Sequence, residues 1–398
     1  MTNSYHPIEQ GKRTAIVDIL RGWAILGVVI GNYCGLPHIS VPNETNSVLS
    51  EILSKFDQFF FAGKSWTLLT ILFGYGFAIL INNVTAKGKN PVTFFSWRMF
   101  LLFILAFIHS AFWFGDILKD YAFLGLVLLL FYKCSPKTLG IISAVLILIV
   151  PFVMAYIKSF NFERIDIISN PEYLKLYYSG NWLEFFKFNL LATFYQQIIA
   201  PGYAITAHIV MLGCMLFGVM LQKLNFFDRL SEMKKLLKYV LISSLVIAVI
   251  IGVVFFVAIE YKAGFLKFFH PYFWLILSTM IFIATGITLL FINGKLKTIF
   301  SYFSAGGKMT LTNYIAQNIL TALVFSGIGL GIKATMPYWF FFALAIFVFI
   351  LQLFISKWWL SKYNYGPIEW LWRCASYRKL FPFKKKKQSE IISEVRTV

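Results

Sequence analysis

The sequence has few charged residues for its length, and this shortage excludes most soluble folds. Only 13% of its 398 residues are Asp, Glu, Lys or Arg, whereas 59% are hydrophobic, and the mean hydropathy is +0.73. A soluble domain contains about 25% charged residues. A water-soluble fold of this size has no interior large enough for so much apolar surface. We therefore expect an integral membrane protein.

Cysteine is also scarce, and its positions lack the spacing of a metal site or a disulfide framework. The four cysteines are Cys34, Cys134, Cys214 and Cys374. None forms a Cys-x-x-Cys pair or a Cys/His pattern. We predict neither a disulfide framework nor a bound metal. A signal-peptide cleavage site is missing as well. The apolar run behind the polar first thirteen residues continues to full spanning length without small residues at a cleavage position, so we expect it to form a retained helix.

Long apolar runs are the feature that the sequence does have. One membrane-spanning helix needs about 20 such residues. Reading the runs along the chain predicts an all-α, polytopic membrane protein with about ten transmembrane helices in a single domain, 1–398. The predicted spans are 14–34, 57–82, 93–113, 117–133, 138–157, 202–222, 239–260, 271–293, 309–331 and 337–360.

Basic residues accumulate in alternate connections between these spans. Of the 36 Lys and Arg residues, 26 fall on the side that also receives both termini. The positive-inside rule makes that side the cytoplasm. We therefore predict cytoplasmic N- and C-termini, a basic cytoplasmic tail at 361–398 and a location in the bacterial cytoplasmic (inner) membrane. The net charge of +19 indicates contact with anionic membrane lipids and not with nucleic acid, since no nucleic-acid module is recognisable.

The longest segment between spans, 158–201, is predicted to be an extracytoplasmic loop. Its second half, 182–198, has apolar and aromatic residues at helical spacing, which indicates an amphipathic helix. Such a helix either lies on the membrane surface, a structural role, or caps a cavity in the bundle, a functional one. The pattern slightly favours the surface position.

His109 and Asp116 are the candidate catalytic residues. An ionisable group inside a bilayer is costly unless it is paired or faces water. His109 lies eleven residues after Arg98, about 16 Å along a helix, and Asp116 follows in the next turn. A His near a carboxylate can act as a general base. The alternative is a hydrogen-bonded His that only stabilises the bundle.

Four cations and one amide are candidates for binding an anionic ligand: Arg21, Arg98, Lys308, Arg373 and Asn313. Arg21 follows Asp18 by three residues, so the two either form an ion pair that fixes the helix or leave Arg21 to a ligand. Lys308 follows two glycines at a predicted helix start, where free N–H groups favour phosphate or carboxylate. In the alternative interpretation, Asn313 and its polar neighbours bond across helices.

The other histidines have no partner at catalytic spacing and are interpreted as structural. They are His6, His38, His208 and His270. His208 differs from the other three because it lies within a predicted span.

Several motifs together resemble the YeiB-like bacterial membrane proteins that carry the domain of unknown function 418. They are VDILRGWAILGVVIGN (17–32), SWTLLTILFGYGFAIL (65–80), the stretch 98–126 with FIHSAFWFGDIL (107–118), and the stretch 306–373, from GGKMTLTNYIAQN to YGPIEWLWR. Residues 135–300 match only in hydropathy.

This family is similar in architecture to the transmembrane acyltransferase superfamily, whose members carry an acyl group from cytoplasmic acyl-CoA to an acceptor across the membrane. The resemblance implies acetyl-CoA or another acyl-CoA as co-substrate, bound by the basic groups, and an extracytoplasmic sugar, lipid or similar acceptor. His109 would be the general base, oriented by Asp116. A transporter or exporter without chemistry is the alternative. The oligomeric state is left open, a homo-oligomer included.

Overall fold

The protein is almost entirely α-helical, as predicted. A computed structural model describes residues 15–35, 47–160, 166–333 and 335–385. Within these ranges there are fifteen α-helices, and the one β-type pairing is an isolated bridge between Tyr363 and Lys384. The helices are α1 Ala15–Cys34, α2 Val48–Phe60, α3 Lys64–Ala86, α4 Pro91–Ser110, α5 Leu118–Leu128, α6 Pro136–Ser159, α7 Pro171–Tyr178, α8 Trp182–Thr193, α9 His208–Lys223, α10 Lys234–Glu260, α11 Tyr272–Ile292, α12 Lys297–Lys308, α13 Thr310–Phe325, α14 Tyr338–Lys362 and α15 Pro367–Tyr377.

Eight helical stretches in the described part of the chain are long and apolar enough to cross a membrane. They are Ala15–Cys34, Val48–Ala86, Pro91–Ser110, Pro136–Ser159, Gly202–Lys223, Lys234–Glu260, Tyr272–Ile292 and Tyr338–Lys362. The other two predicted spans contain shorter helices, α5 with 11 residues and α13 with 16. The chain is therefore a multi-pass membrane protein. Residues 1–14 and the predicted tail beyond Lys385 lie outside the described residues.

Close helix crossings hold the bundle together at glycines. A Cβ on Gly307 of α12 would lie 1.8 Å from the carbonyl oxygen of Asp18 in α1, and one on Gly22 would lie 2.1 Å from that of Phe303. Because only glycine fits there, α1 and α12 touch backbone to backbone, as in other membrane bundles. Gly22 therefore allows α12 to pack closely against α1.

The predicted span 57–82 is interrupted near its start. Helix α2 ends at Phe60, and α3 begins at Lys64 after Gly63, whose φ of 79° suits glycine. The sequence suggested one continuous helix because the apolar residues run through the break. The break matters for the site, since residues 61–63 line an internal cavity of about 770 Å³.

The segment after α6 covers the ends of two other helices. Thr193 at the end of α8 donates to the carbonyl of Phe114 (3.2 Å), and Gly327, just beyond α13, donates to the carbonyl of Tyr177 (3.0 Å). Phe185 and Phe188 of α8 are fully buried. A helix thus stands at the position predicted to be amphipathic. This helix, α8, contacts the residues that follow α4 and exposes Leu183, while α7 contacts Gly327 just after α13.

Candidate functional site

One internal cavity of about 770 Å³ joins most of the predicted site residues. Its walls contain the four candidate cations, Arg21, Arg98, Lys308 and Arg373, which we call the basic end. They also contain Asn32, Gly115, Tyr203 and Tyr314, which we call the polar end. Arg21 and Asn32 lie eleven residues apart on α1, about 16 Å at 1.5 Å per residue. The walls between the two ends are mostly apolar and aromatic.

A second cavity, of about 1340 Å³, meets the first at the basic end. The same four cations line both cavities, and Lys357, Lys379 and Lys385 line the second one. Asp228 is the acid in that second wall. This excess of positive charge suits a ligand with several anionic groups, such as phosphates.

Aromatic rings and short-range bonds hold the cations in place. The Arg98 guanidinium carbon lies 3.6 Å from the centre of the Trp372 ring, and its Nη1 donates to Ser376 Oγ (3.1 Å). Arg373 lies over Tyr365 at 4.7 Å. Arg21 pairs with the buried Asp18 at 3.4 Å. Stacking and these bonds restrict the orientation of the guanidinium groups that line the cavity.

The predicted anion cradle at the start of a helix is wrong. Gly306, Gly307 and Lys308 form the last turn of α12, and α13 begins only at Thr310. The first N–H groups of α13, on Leu311 and Thr312, donate to Glu369 Oε1 at 2.8 and 3.0 Å. Burial raises the pKa of Glu369, and the hydrogen bonds from Thr312 act against that rise. A protein carboxylate therefore occupies the place proposed for a ligand, while Lys308 still lines the cavity.

Asn313 lies away from the cavity. It is buried, and its Nδ2 donates to the carbonyl of Gly306 (3.2 Å) and to Ser356 Oγ (3.0 Å). Gln352 of α14 donates to its main-chain carbonyl at 2.9 Å. These contacts join α12, α13 and α14, so the geometry favours the helix-bonding interpretation over ligand binding.

At the polar end, His109 and Asp116 form a hydrogen-bonded pair. His109 Nδ1 lies 2.7 Å from Asp116 Oδ1, and Tyr314 OH donates to the same oxygen at 3.3 Å. On the other side of the ring, Nε2 lies 3.3 Å from Asn318 Nδ2. An amide N–H donates to that nitrogen, so we assign the proton of the neutral ring to Nδ1 and the lone pair to Nε2. This is the tautomer that a general base needs.

His109 itself is separated from the cavity by one layer of side chains. It is 2% exposed, and Asn318 is fully buried. Asn32 Nδ2 donates to Asn318 Oδ1 at 2.8 Å, and Asn32 lines the cavity. A substrate group must therefore replace the Asn318 contact to reach Nε2. At 3.3 Å, the contact between Asn318 and His109 is the longest hydrogen bond in the series that runs from Asn32 to Asp116, and hence the weakest of them.

A second polar cluster at this end was missed by the sequence interpretation. His208 Nε2 lies 3.0 Å from Asp120 Oδ1, and Tyr203 OH and Lys119 Nζ bond Asp120 Oδ2 at 2.7 and 2.9 Å. His208 is 88 residues from Asp120, so no local spacing links them. The usable signal was the presence of an ionisable residue within a predicted span.

The chain is similar in sequence to known proteins. Residues 221–379 match the model of the family described as "Protein of unknown function (DUF418)". The protein YxaH of Bacillus subtilis (strain 168) is 29% identical over 414 residues, covering 96% of this chain and 99% of YxaH. The protein YeiB of Escherichia coli (strain K12) is 24% identical, covering 93% and 98%. The chain is thus similar to the YeiB-like DUF418 proteins.

The matched region begins within the stretch that the motif comparison found similar only in hydropathy. It includes α12, α13 and α15, and hence Lys308, Tyr314, Glu369 and Arg373. His109 and Asp116 lie outside it. They fall within the full-length similarity to the two relatives, whose names carry no activity.

Proposed function

We propose that this protein is a membrane-bound acyltransferase that carries an acyl group, acetyl in the simplest case, from cytoplasmic acyl-CoA to an extracytoplasmic sugar, lipid or similar acceptor. The observation that carries the proposal is the shared cavity. Four cations stand at its basic end, and a wall backed by the His109–Asp116 pair stands at its polar end. In this proposal the basic end faces the cytoplasm and the protein resides in the bacterial cytoplasmic membrane.

The basic end suits the nucleotide part of CoA. Arginine binds phosphate with paired N–H donors, and Lys308 adds a mobile point charge. The pantetheine arm is narrow and would extend along the apolar walls towards Asn32 and Tyr314. This arrangement brings the thioester to the polar end while the phosphates stay at the basic end.

At the polar end the geometry supports transfer assisted by a general base. The acceptor O–H or N–H proton passes to His109 Nε2, and the acceptor lone pair attacks the thioester carbonyl carbon. The C–S bond then breaks, and the departing thiolate takes the proton from the imidazolium. Asp116 keeps Nδ1 protonated and stabilises the charged ring throughout. The products are the acylated acceptor and free CoA.

The decisive test uses purified protein in lipid nanodiscs with acetyl-CoA. We expect saturable binding, release of free CoA thiol, and loss of release in His109→Ala with the Kd for acetyl-CoA unchanged. General-base catalysis contributes about 10²–10⁴-fold, so the rate should fall by that factor. Absence of acetyl-CoA binding to the unmodified protein would refute the proposal.

One observation favours the alternative, a transporter without chemistry. The break between α2 and α3 lines the cavity, and interrupted helices are typical of transporter binding sites. Liposomes containing the protein would distinguish the two functions. A transporter would move intact solute across the bilayer in the His109→Ala variant as well, and it would release no CoA thiol.

A further inference from the structure

The Tyr203 hydroxyl stands at the polar end in a fixed orientation. Tyr203 and Gly202 line the first cavity and belong to a π-helical turn, Gly202–Ala207, that leads into α9. π-Helical turns are rare in proteins overall, and those that do occur are often found at functional sites. The hydroxyl donates to Asp120 Oδ2 at 2.7 Å, and Asp120 is 4% exposed.

The partners of Asp120 show which groups carry protons. His208 Nε2 faces the Asp120 carboxyl at 3.0 Å, and Nδ1 faces the carbonyl oxygen of Ala204 at 2.5 Å. Both partners are acceptors, so both ring nitrogens must carry a hydrogen, which makes His208 an imidazolium. Asp120 is then a carboxylate that accepts from His208, Lys119 and Tyr203.

This assignment determines what Tyr203 can do towards the cavity. A phenol has one hydrogen, and that of Tyr203 is directed to Asp120. The oxygen can therefore only accept a further hydrogen bond from the cavity. A ligand there must donate, as a hydroxyl or an amino group does.

Lys119 connects this cluster to the His109 pair. Its main-chain N–H donates to Asp116 Oδ2 at 3.2 Å, and its Nζ donates to the carbonyl of Asp116 at 2.8 Å and to Asp120 Oδ2 at 2.9 Å. The two carboxylates, four residues apart, thus both accept from Lys119, Asp116 from its main-chain N–H and Asp120 from its Nζ. A group bound at Tyr203 lies at the same end of the cavity as the proposed base.

We propose that Tyr203 binds the acceptor of the transfer reaction by accepting a hydrogen bond from its hydroxyl or amino group, with Asp120, His208 and Lys119 as positioning residues. This inference rests on the proposed function, because it names the acceptor subsite of that reaction. The ligand is a hydrogen-bond donor, and the experiment distinguishes a hydroxyl donor from an amino donor.

The test uses protein in nanodiscs and three probes. They are methyl α-D-glucoside, which offers hydroxyls; D-glucosamine, which adds an amine; and permethylated methyl glucoside, which offers no donor. Binding is measured by saturation-transfer NMR without acetyl-CoA, and the KM of each probe by thiol release with it. Tyr203→Phe is compared with Tyr195→Phe, a matched change in the neighbouring π-helical turn outside the cavity wall.

We expect Tyr203→Phe to weaken binding and raise the KM of at least one donor probe about 2–10-fold, the effect of one neutral hydrogen bond. The KM for acetyl-CoA should not change, and Tyr195→Phe should behave as the unmodified protein. Asp120→Asn should raise the probe KM similarly, with partial rescue by Asp120→Glu. The permethylated probe should not bind.

Equal binding of the donor probes to the Tyr203→Phe and unmodified proteins would overturn the inference, and so would failure of both donor probes to bind. Acetyl-CoA turnover with an unaffected probe KM would refute the subsite and leave the proposed function standing. Probe binding that depends on Tyr203, without any acetyl-CoA turnover, would refute the transfer reaction and retain the subsite.

Discussion

The basic and polar ends of the first cavity are built on different principles. At the basic end, Arg21, Arg98 and Arg373 are half-buried, Lys308 is exposed, and aromatic rings hold two of them. At the polar end, His109 and Asp116 are 2% and 0% exposed and satisfy each other. Cations that are partly or fully exposed can exchange partners, whereas a buried network is preorganised. The difference matches the proposed function, in which the basic end recruits the ligand and the polar end acts on it.

The largest effect is expected from the polar end. Asp116→Asn keeps the shape of the side chain but removes the charge that fixes the His109 tautomer. The rate of acetyl-CoA turnover should fall about 10²–10⁴-fold, with the Kd for acetyl-CoA unchanged. Asp166→Asn, at an exposed position between α6 and α7, is the matched control. If Asp116→Asn turned over acetyl-CoA at a rate within twofold of the unmodified protein, the polar end would not have the catalytic role that distinguishes it from the basic end.

The next effect tests the basic end. Arg98→Gln removes a cation that lines both cavities, and hydrogen bonds to charged groups contribute about 1.5–3 kcal/mol each. The Kd for acetyl-CoA should rise about 10–100-fold and depend less on salt, while the rate at saturation stays the same. Lys137→Gln, at an exposed site outside both cavities, should leave the Kd unchanged. Equal loss in both variants would point to nonspecific attraction.

A third prediction concerns the carboxylate that closes α13. Glu369→Ala leaves the N–H groups of Leu311 and Thr312 without their acceptor and should lower the free energy of unfolding by about 2–4 kcal/mol. Glu369→Gln, which retains an acceptor oxygen, should cost less than half of that. Thermal unfolding in detergent measures both. Similar losses in the two variants would show that charge, not hydrogen bonding, holds this helix start.

The same residue makes a prediction about pH. Burial raises the pKa of Glu369, so the folded state binds this proton more tightly than the unfolded state does. Its contribution to stability is complete below the ordinary Glu pKa and is lost as pH rises through the raised value. In Glu369→Gln the melting temperature should fall less than in the unmodified protein as the pH rises from the ordinary Glu pKa through the raised pKa of Glu369. An unchanged pH profile would contradict the assignment.

The smallest effect should come from Asn313. Asn313→Ala removes bonds between helices and should lower the free energy of unfolding by about 1 kcal/mol, measured by thermal unfolding, without changing the Kd for acetyl-CoA. Ser356→Ala, which removes one partner of the same amide, should resemble it. A weaker Kd for acetyl-CoA in Asn313→Ala alone would restore Asn313 as a ligand-binding residue.

Sequence reasoning succeeded where a signal is local. Apolar runs predicted the helical, multi-pass fold because spanning length and hydropathy are properties of contiguous residues. The ion pair of Asp18 and Arg21, one of the two alternatives for these residues, is present because i,i+3 spacing puts both on one helix face. His109 and Asp116 could be predicted together because they are only seven residues apart, on either side of one turn.

Composition, charge distribution and hydrophobic periodicity, all properties of the sequence alone, determined that this is an α-helical membrane protein with cations concentrated near one set of helix ends. Only the tertiary structure decided which polar groups meet. It gave the start of α13 to Glu369, placed Asn313 between helices and joined His208 to Asp120. The physical reason is that a buried polar group must find a partner wherever packing supplies one, and packing brings together residues far apart in the chain.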